Sequence, residues 1–322
     1  MNLHLLPVFC YLATALCAQK VPVPKSSGRE LQLFDVADLL LEPTRGPNPL
    51  QPGLPGASSL GPTSPSPMAA LCTFLRHFLV PPLGEGDDLQ PLAGRLAMVA
   101  RPDELAKLES LLATNRARQG DRIQVEVRLV RFSREDFEAD LRGKLVATER
   151  DKDTVHEQVF PASEARALLD AALAKGRETI DCPSLIAKPL HLCTMSSLTQ
   201  TAYVRDFSLQ KKGDATIAEP IVDTVWSGFH LDLIAGFEAD GTIVVSSHIQ
   251  SQELVRPIAT VDIDLGLGNG QPAKLQLPRT LGVRMRQIAH VHAGDLVVIA
   301  APQATGDYLV AFVQTTLAAN PK

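Results

Sequence analysis

Residues 218–250, AEPIVDTVWSGFHLDLIAGFEADGTIVVSSHIQ, decide the fold. Phe229, Leu231 and Leu233 alternate with His230 and Asp232, which gives a strand with one apolar face and one wet face. Asp240-Gly241, set between two apolar runs, is a hairpin turn. Further along, Val261, Ile263 and Leu265 alternate with Asp262 and Asp264, and Leu281, Val283 and Met285 alternate with Gly282, Arg284 and Arg286. Three segments with one pattern predict a half-exposed antiparallel sheet. The runs Leu296–Ile299 and Leu309–Val313 are apolar on both faces and belong at the centre of a sheet or between two layers. Pro220, Gly228, Gly236, Pro257, the glycines of 266–270, Pro278, Gly294 and Gly306 punctuate the whole stretch from Thr199 to Gln314. The strands are therefore expected to be short, with no long hairpin among them.

Composition bounds the rest. With 322 residues and 45% hydrophobic content the chain can bury one large core or two modest ones. A net charge of -5 with scattered Lys and Arg argues against a nucleic-acid partner, because phosphate binding needs clustered cations. Met1 to Ala18 is a short apolar segment ending in small residues, too short to span a bilayer comfortably. It predicts an export signal cleaved after Ala18, with Ala13-Thr14-Ala15 as the competing site. Cys10 and Cys17 leave with such a signal, so the exported chain keeps Cys72, Cys182 and Cys193. Cys182 and Cys193 flank a spacing that suits adjacent strands; a disulfide and two buried thiols are both compatible with it.

Glu30 to Leu41 reads as one strand leading into a short apolar turn. Pro43 to Pro67 is rich in Pro, Gly and Ser with almost no charge, the composition of a passive linker. A compact α/β module follows. Ser66-Pro67 caps a helix whose Leu71, Leu75, Phe78 and Leu79 share a face, and 94–100 is a strand. Pro102-Asp103-Glu104 opens a second helix lined by Leu105, Leu108, Leu111 and Leu112, its acids placed where the helix dipole favours them. Ile123, Val125, Val127 and Leu129 alternate as a further strand, predicting one small sheet covered by two helices. Ser163 is expected to cap a third helix, with Leu168, Leu169 and Leu173 facing inward and Gly176 at its end.

No catalytic, cofactor-binding or metal residue is expected. His290 and His292 stand two apart on one strand face with Asp295 nearby, yet two such histidines are more commonly solvated than ligating. Ser246-Ser247-His248 and Ser196-Ser197 lack a partnering acid, and no Gly-x-Ser-x-Gly elbow occurs. The glycines at 266, 268 and 270 lead into a strand instead of a helix N-terminus and make turns, not a phosphate loop. Trp226 and Tyr203 are read as core.

Two regions carry a family resemblance. GRLAMVARPDELAKLESLLATNRARQGDRIQVEVRLVRF (94–132) resembles the repeated ring-building domain of bacterial secretins, a strand, a helix beginning at proline and a strand ending in a VEVRLV-type run. TQTAYVRDFSL (199–209), residues 218–250 and LPRTLGVRMRQIAHVHAGDLVVIAAP (277–302) are similar, in that order, to the secretin domain; where the family closes with Gly-Gly-Leu, this chain has Ala300-Ala301-Pro302. The resemblance implies an α+β chain, a small helix-covered ring-building α/β domain followed by a mainly antiparallel β secretin-like domain. The expected division is 1–18 signal peptide, 19–42 N-terminal strand segment, 43–67 linker, 68–142 ring-building domain, 143–194 connecting segment with one helix and 195–318 secretin-like domain. It further implies an exported protein of the periplasm or outer membrane, assembling as a homo-oligomer within a type II or III secretion or pilus system beside inner-membrane components, without cofactor or enzymatic activity. A monomeric periplasmic scaffold or binding module on the same fold is the alternative, and a metal-dependent hydrolase built on His290 and His292 a distant third. The physical reason to expect self-association is that an open sheet edge must be paired, covered or charged.

Overall fold

The computed structural model describes residues 28–40, 65–78, 87–92, 94–150, 153–176, 178–181, 184–213, 215–266 and 272–318. The export signal, its cleavage site, Cys10, Cys17, Cys182 and nearly all of the 43–67 linker lie outside the described residues. In chain order the elements are β1 (Glu30–Asp35), α1 (Pro67–Phe78), β2 (Asp88–Leu92), β3 (Arg95–Ala100), α2 (Pro102–Ala117), β4 (Ile123–Phe132) and α3 (Arg134–Asp140). Then come β5 (Val146–Arg150), β6 (Asp153–Phe160), α4 (Ala162–Lys175), β7 (Glu178–Asp181), β8 (Leu185–Ala187), β9 (Cys193–Lys212) and β10 (Ala215–Phe237). The chain ends with β11 (Ile243–Leu254), β12 (Ala259–Ile263), β13 (Ala273–Leu277), β14 (Thr280–Val291), β15 (Leu296–Pro302) and β16 (Tyr308–Leu317).

The fold is α+β with only antiparallel pairs among the described strands, arranged in layers around a sandwich. One sheet has the order β5-β6-β15-β16-β4-β7, with β8 also paired to β4, and the other the order β14-β11-β10-β9. Their facing side chains form one core: Ile123, Val125, Val127 and Leu129 of β4 with Val297, Ile299, Ala311 and Val313 on one side, and Phe229, Leu231, Leu233, Val245, Ile249 and Met285 on the other. The continuous apolar runs at 296–299 and 309–313 sit at the centre of the larger sheet, as their two-sided hydrophobicity requires. Their second face packs under α3 and α4 through Val298, Val310, Phe312, Phe137, Ala165 and Ala172. At the other end a three-stranded sheet, β1-β3-β2, packs on α1 and α2 around Leu71, Phe74, Leu96, Met98, Leu108 and Leu112.

That small core continues onto the second sheet through Ile234 and Val244, and the junction is tied by hydrogen bonds to the backbone of β10. β9 stops pairing with β10 at Cys193↔Leu233, so the following residues of β10 lack a strand on that side. Non-strand groups replace it. The Leu190 N–H donates to the Ala235 carbonyl at 2.7 Å, and the Asn115 side chain of α2 accepts from the Phe237 N–H and donates to its carbonyl, both at 2.8 Å. Leu190 holds a positive φ of 61°, and Arg118 lies 3.5 Å over the Phe237 ring, so the end of α2 is fixed to the end of β10.

Four local expectations are met. The Ser66 hydroxyl accepts from Ala69 N–H at the start of α1; α2 starts at Pro102 with its leucines buried; Asp240-Gly241 makes the β10–β11 hairpin with Gly241 at φ 91°; and β14 alternates buried and exposed residues. Others are corrected. β4 does not pair with β3; it pairs with β16, β7 and β8, because alternation fixes which face of a strand is apolar and not which strand lies beside it. Ser163 lies inside the first turn of α4, while Ser133 caps the unforeseen α3 by accepting from Asp136 N–H at 3.0 Å. β12 is exposed along nearly its whole length and pairs only with β13. The strands are also not uniformly short, since β9 and β10 run for 20 and 23 residues as one long hairpin. β10 passes straight through Pro220, Gly228 and Gly236. Pro220 is tolerated because at that point β10 has a neighbour on one side only, and a missing N–H on the open side costs nothing. Gly228, at φ 127°, is where β9 comes so close that an added Cβ would lie 2.2 Å from the Ser197 carbonyl oxygen.

Candidate assembly surface

The sheet β14-β11-β10-β9 is the candidate functional surface, because its two outer strands are edges and one of its faces is already buried in the sandwich. β11 pairs with β14 from Ile243↔Val291 to Leu254↔Thr280, so the β14 edge is twelve residues long. β9 forms the opposite edge. Four antiparallel strands place β9 and β14 in opposite directions, so a second copy set beside the first would meet an antiparallel edge.

Beyond the sandwich the β9–β10 hairpin continues as a two-stranded ribbon. Residues 215–227 of β10 pair with β9 alone, and at about 3.3 Å per residue this ribbon reaches roughly 40 Å. Near its tip the pairs Leu209↔Ala218 and Phe207↔Pro220 make an apolar face, and Leu209 is 53% exposed. A register shift between Ile221 and Val222 re-aims the side chains nearer the sandwich. There Asp223 is buried and meets Arg205 at 3.3 Å, and Trp226 is buried with its carbonyl accepting from Gln252 Nε2 at 2.9 Å. The β12–β13 hairpin, inserted between β11 and β14, leans on β9: Gln276 Oε1 accepts from Val204 N–H at 2.7 Å and Arg256 reaches the Thr201 hydroxyl at 3.2 Å.

The face of this sheet turned away from the sandwich carries two polar rows. By register, Thr194, Asp232, His248 and Arg286 lie side by side across all four strands, and Ser196, His230, Gln250 and Arg284 form the next row. Asp232 accepts from the Thr194 hydroxyl at 2.7 Å and lies 3.2 Å from His230 Nε2. His230 and Asp232 are 3% and 4% exposed, which corrects their placement on a wet face. Burial, with Arg286 alongside, pushes the His248 imidazole down to about 4, so it is neutral in the folded protein. Toward the sandwich, Ser247 and Gln287 face each other inside the apolar core, and among the described residues Ser247 Oγ and Gln287 Nε2 have no hydrogen-bond partner.

The residues weighed for chemistry are dispersed. His290 Nδ1 lies 3.0 Å from Glu238, whereas His292 stands nearest Asp295 at 3.7 Å. Asp295 is engaged locally, accepting from the N–H groups of Ala162 and His292 at 3.0 and 2.8 Å, the first of which secures the start of α4. Among the described residues no group of three His, Cys, Asp or Glu side chains stands close enough to hold a metal. Ser247 and His248 point to opposite faces of β11. Tyr203 is partly exposed on the ribbon, not core. Cys72 is buried and Cys193 half-buried, both free thiols whose pKa burial raises. Among the described residues no helix is long and apolar enough to cross a membrane, which leaves strands untouched by that statement. The feature that sequence reading missed, the ribbon, leaves a trace only in the polar alternation of 199–210, which resembles any exposed strand, whereas open sheet edges were expected without the strands that form them.

No protein-family description matches the chain, and no curated protein matches it. Among solved structures it is similar to the InvG secretin domain β-barrel of the Salmonella SPI-1 injectisome, at 13% identity over 78% of this chain and 80% of that one, with a TM-score of 0.29. It is similar to the V. cholerae type IV competence pilus secretin PilQ at 13% identity over 77% and 74%, TM-score 0.29. With InvG of the Salmonella SPI-1 type III secretion injectisome it shares 11% identity over 92% and 88%, TM-score 0.31. At these identities and scores the likeness assigns nothing to this chain, whose reading rests on its own strands and edges.

Proposed function

We propose that the protein is a secretin-like component of a cell envelope that works by joining copies of itself into a ring, as a structural or channel element of a protein secretion or pilus system. The observation that carries this is the four-stranded antiparallel sheet with one face buried and β9 and β14 as its outer strands, β9 being met at Val204 by Gln276 of the β12–β13 hairpin. An even number of strands lets each copy's β14 continue the alternation into the next copy's β9, and closure of the ring removes both edges at once. In this reading β9, β10, β11 and β14 supply the wall, with the β9–β10 ribbon extending it, the β12–β13 hairpin turned to one side of it, and β15 and β16 lying in the sheet packed behind it. The part built by β1 to β3, α1 and α2 is the ring-building end, held to the wall through Asn115. Export to the periplasm or outer membrane and contact with inner-membrane components belong to the same proposal, which needs no cofactor.

The experiment is expression of the full chain with fractionation of the envelope and electrophoresis with and without heating. Multimers that resist detergent and lie in the outer-membrane fraction support the proposal. A protein that is a single copy in detergent and in buffer refutes it and returns the chain to the scaffold reading.

A further inference from the structure

Two strand edges lie outside the sandwich. Residues 215–227 of β10 pair with β9 alone, and among the described residues β12 pairs only with β13. Where these edges stand follows from one row of the sheet, in which Leu198, Gly228, Gln252 and Gly282 lie side by side across β9, β10, β11 and β14. Gln276, six residues before Gly282, accepts from the N–H of Val204, six residues after Leu198. The hairpin therefore reaches outward level with the ribbon, and β13 runs back toward the sandwich where β9 runs away from it. It stands at the β9 margin: β13 packs more closely on β9 than on β10, and Arg256 crosses to the Thr201 hydroxyl at 3.2 Å. Two separate two-stranded ribbons are marginal in water, whereas a sheet of three or more strands is not.

The inference rests on the reading that copies join β9 to β14. With the rows continued straight across, the next copy's β14 begins at Thr280 and covers β9 only as far as Gln200; from Val204 outward β9 meets its own hairpin. Beyond Leu254 and Thr280 the next copy's β11 and β14 have ended, so a gap two strands wide separates β9 of one copy from β10 of the next. The hairpin is itself two strands wide. We propose that it fills this gap, with β12 lying along the open β10 edge of the next copy's ribbon. The order β10, β9, β13, β12 then supplies four strands per copy outside the sandwich, as β14, β11, β10 and β9 do within it. Every neighbour is antiparallel, because β9 and β12 run outward while β13 and β10 run inward. Counted along the row, β12 comes opposite residues 219–223, with Val261 beside Ile221 and Val222. Val261 and Val222 are 45% and 43% exposed in the single copy, and the contact covers both. Pro220 comes level with Asp262, next to the end of β12, so its missing N–H falls where the pairing stops.

The test mixes two single variants of the full chain, so that a mixed link can form only between copies. Val261→Cys in one chain and cysteine at Glu219, Ile221, Val222 or Thr224 in the other are co-expressed with different tags and oxidised in the assembled state. At least one combination is expected to give about tenfold or more of the covalent mixed dimer compared with Val261→Cys and Arg166→Cys, whose side chain on α4 is 90% exposed. Control-level linking in all four combinations, while cysteines on β9 and β14 still link copies, overturns the proposal and leaves the joining of β9 to β14 intact. Control-level linking at both places overturns the two together.

Discussion

Replacing Asn115 with alanine tests the junction between the helical end and the sandwich. The Asn115 side chain is fully buried and completes the β10 ladder where β9 no longer runs, through two 2.8 Å hydrogen bonds to Phe237 and a third at 2.9 Å to the Leu111 carbonyl. Alanine removes the two bonds to Phe237, at about 1 kcal/mol each, and leaves the buried Phe237 N–H and C=O without that partner, at about 1–3 kcal/mol for each group left unmatched. Relaxation and water entry recover part of this, so the expected loss is roughly 3–5 kcal/mol. The assay is urea denaturation followed by the fluorescence of Trp226, the one tryptophan of the chain, with Ser110→Ala on the exposed side of the same helix as control. A loss for Asn115→Ala within about 1 kcal/mol of the control would refute the view that a side-chain amide stands in for a missing strand.

Three further outcomes are expected. The His248 pKa is lowered from 6.5 to about 4, so the unfolded chain binds the proton first; this stability is whole above pH 6.5 and is lost as pH falls toward 4, by roughly 3 kcal/mol at most, and His248→Gln should flatten that slope in denaturation midpoints measured across the window. Gly228→Ala forces a Cβ to within 2.2 Å of the Ser197 carbonyl at a φ of 127°, and is expected to cost about 2 kcal/mol or more and to expose the 201–227 ribbon to limited proteolysis. Gln287→Leu together with Ser247→Ala removes two polar groups without a partner among the described residues from the sandwich core and should raise the unfolding free energy by about 1–2 kcal/mol, read as a higher urea midpoint; an unchanged or lowered midpoint would mean that those groups are satisfied in solution.

What was legible in the sequence was local. The cap at Ser66, the start of α2 at Pro102, the turn at Asp240-Gly241 and the central position of 296–299 and 309–313 each depend on residues a few positions apart, and each stands as read. Pairing between distant strands was not legible, because Ile123–Leu129 has an alternation that fits any apolar neighbour and finds it in β16, nearly two hundred residues on. The long β9–β10 hairpin was hidden by Pro220, which is harmless in a ribbon with a neighbour on one side, and by Gly228, which is paired on both sides and is required there by the close approach of β9. His230 and Asp232 show the same limit from the other side: their alternation with leucines is real, yet burial of the second face depends on what packs there, and residue type does not report it.

The central claim is that copies join β9 to β14, and cysteine proximity tests it most directly. Ser196 and Arg284 stand in one row at opposite edges of the sheet, three strand spacings or about 14 Å apart within a copy, too far for a disulfide. Ser196→Cys is combined in turn with cysteine at Gly282, Arg284, Arg286 and Ile288, which covers the possible stagger between neighbours, and each chain is oxidised in the assembled state. At least one pair is expected to give a ladder of covalently linked multimers that neither single variant gives. Single chains throughout, for all four pairs, would contradict the account.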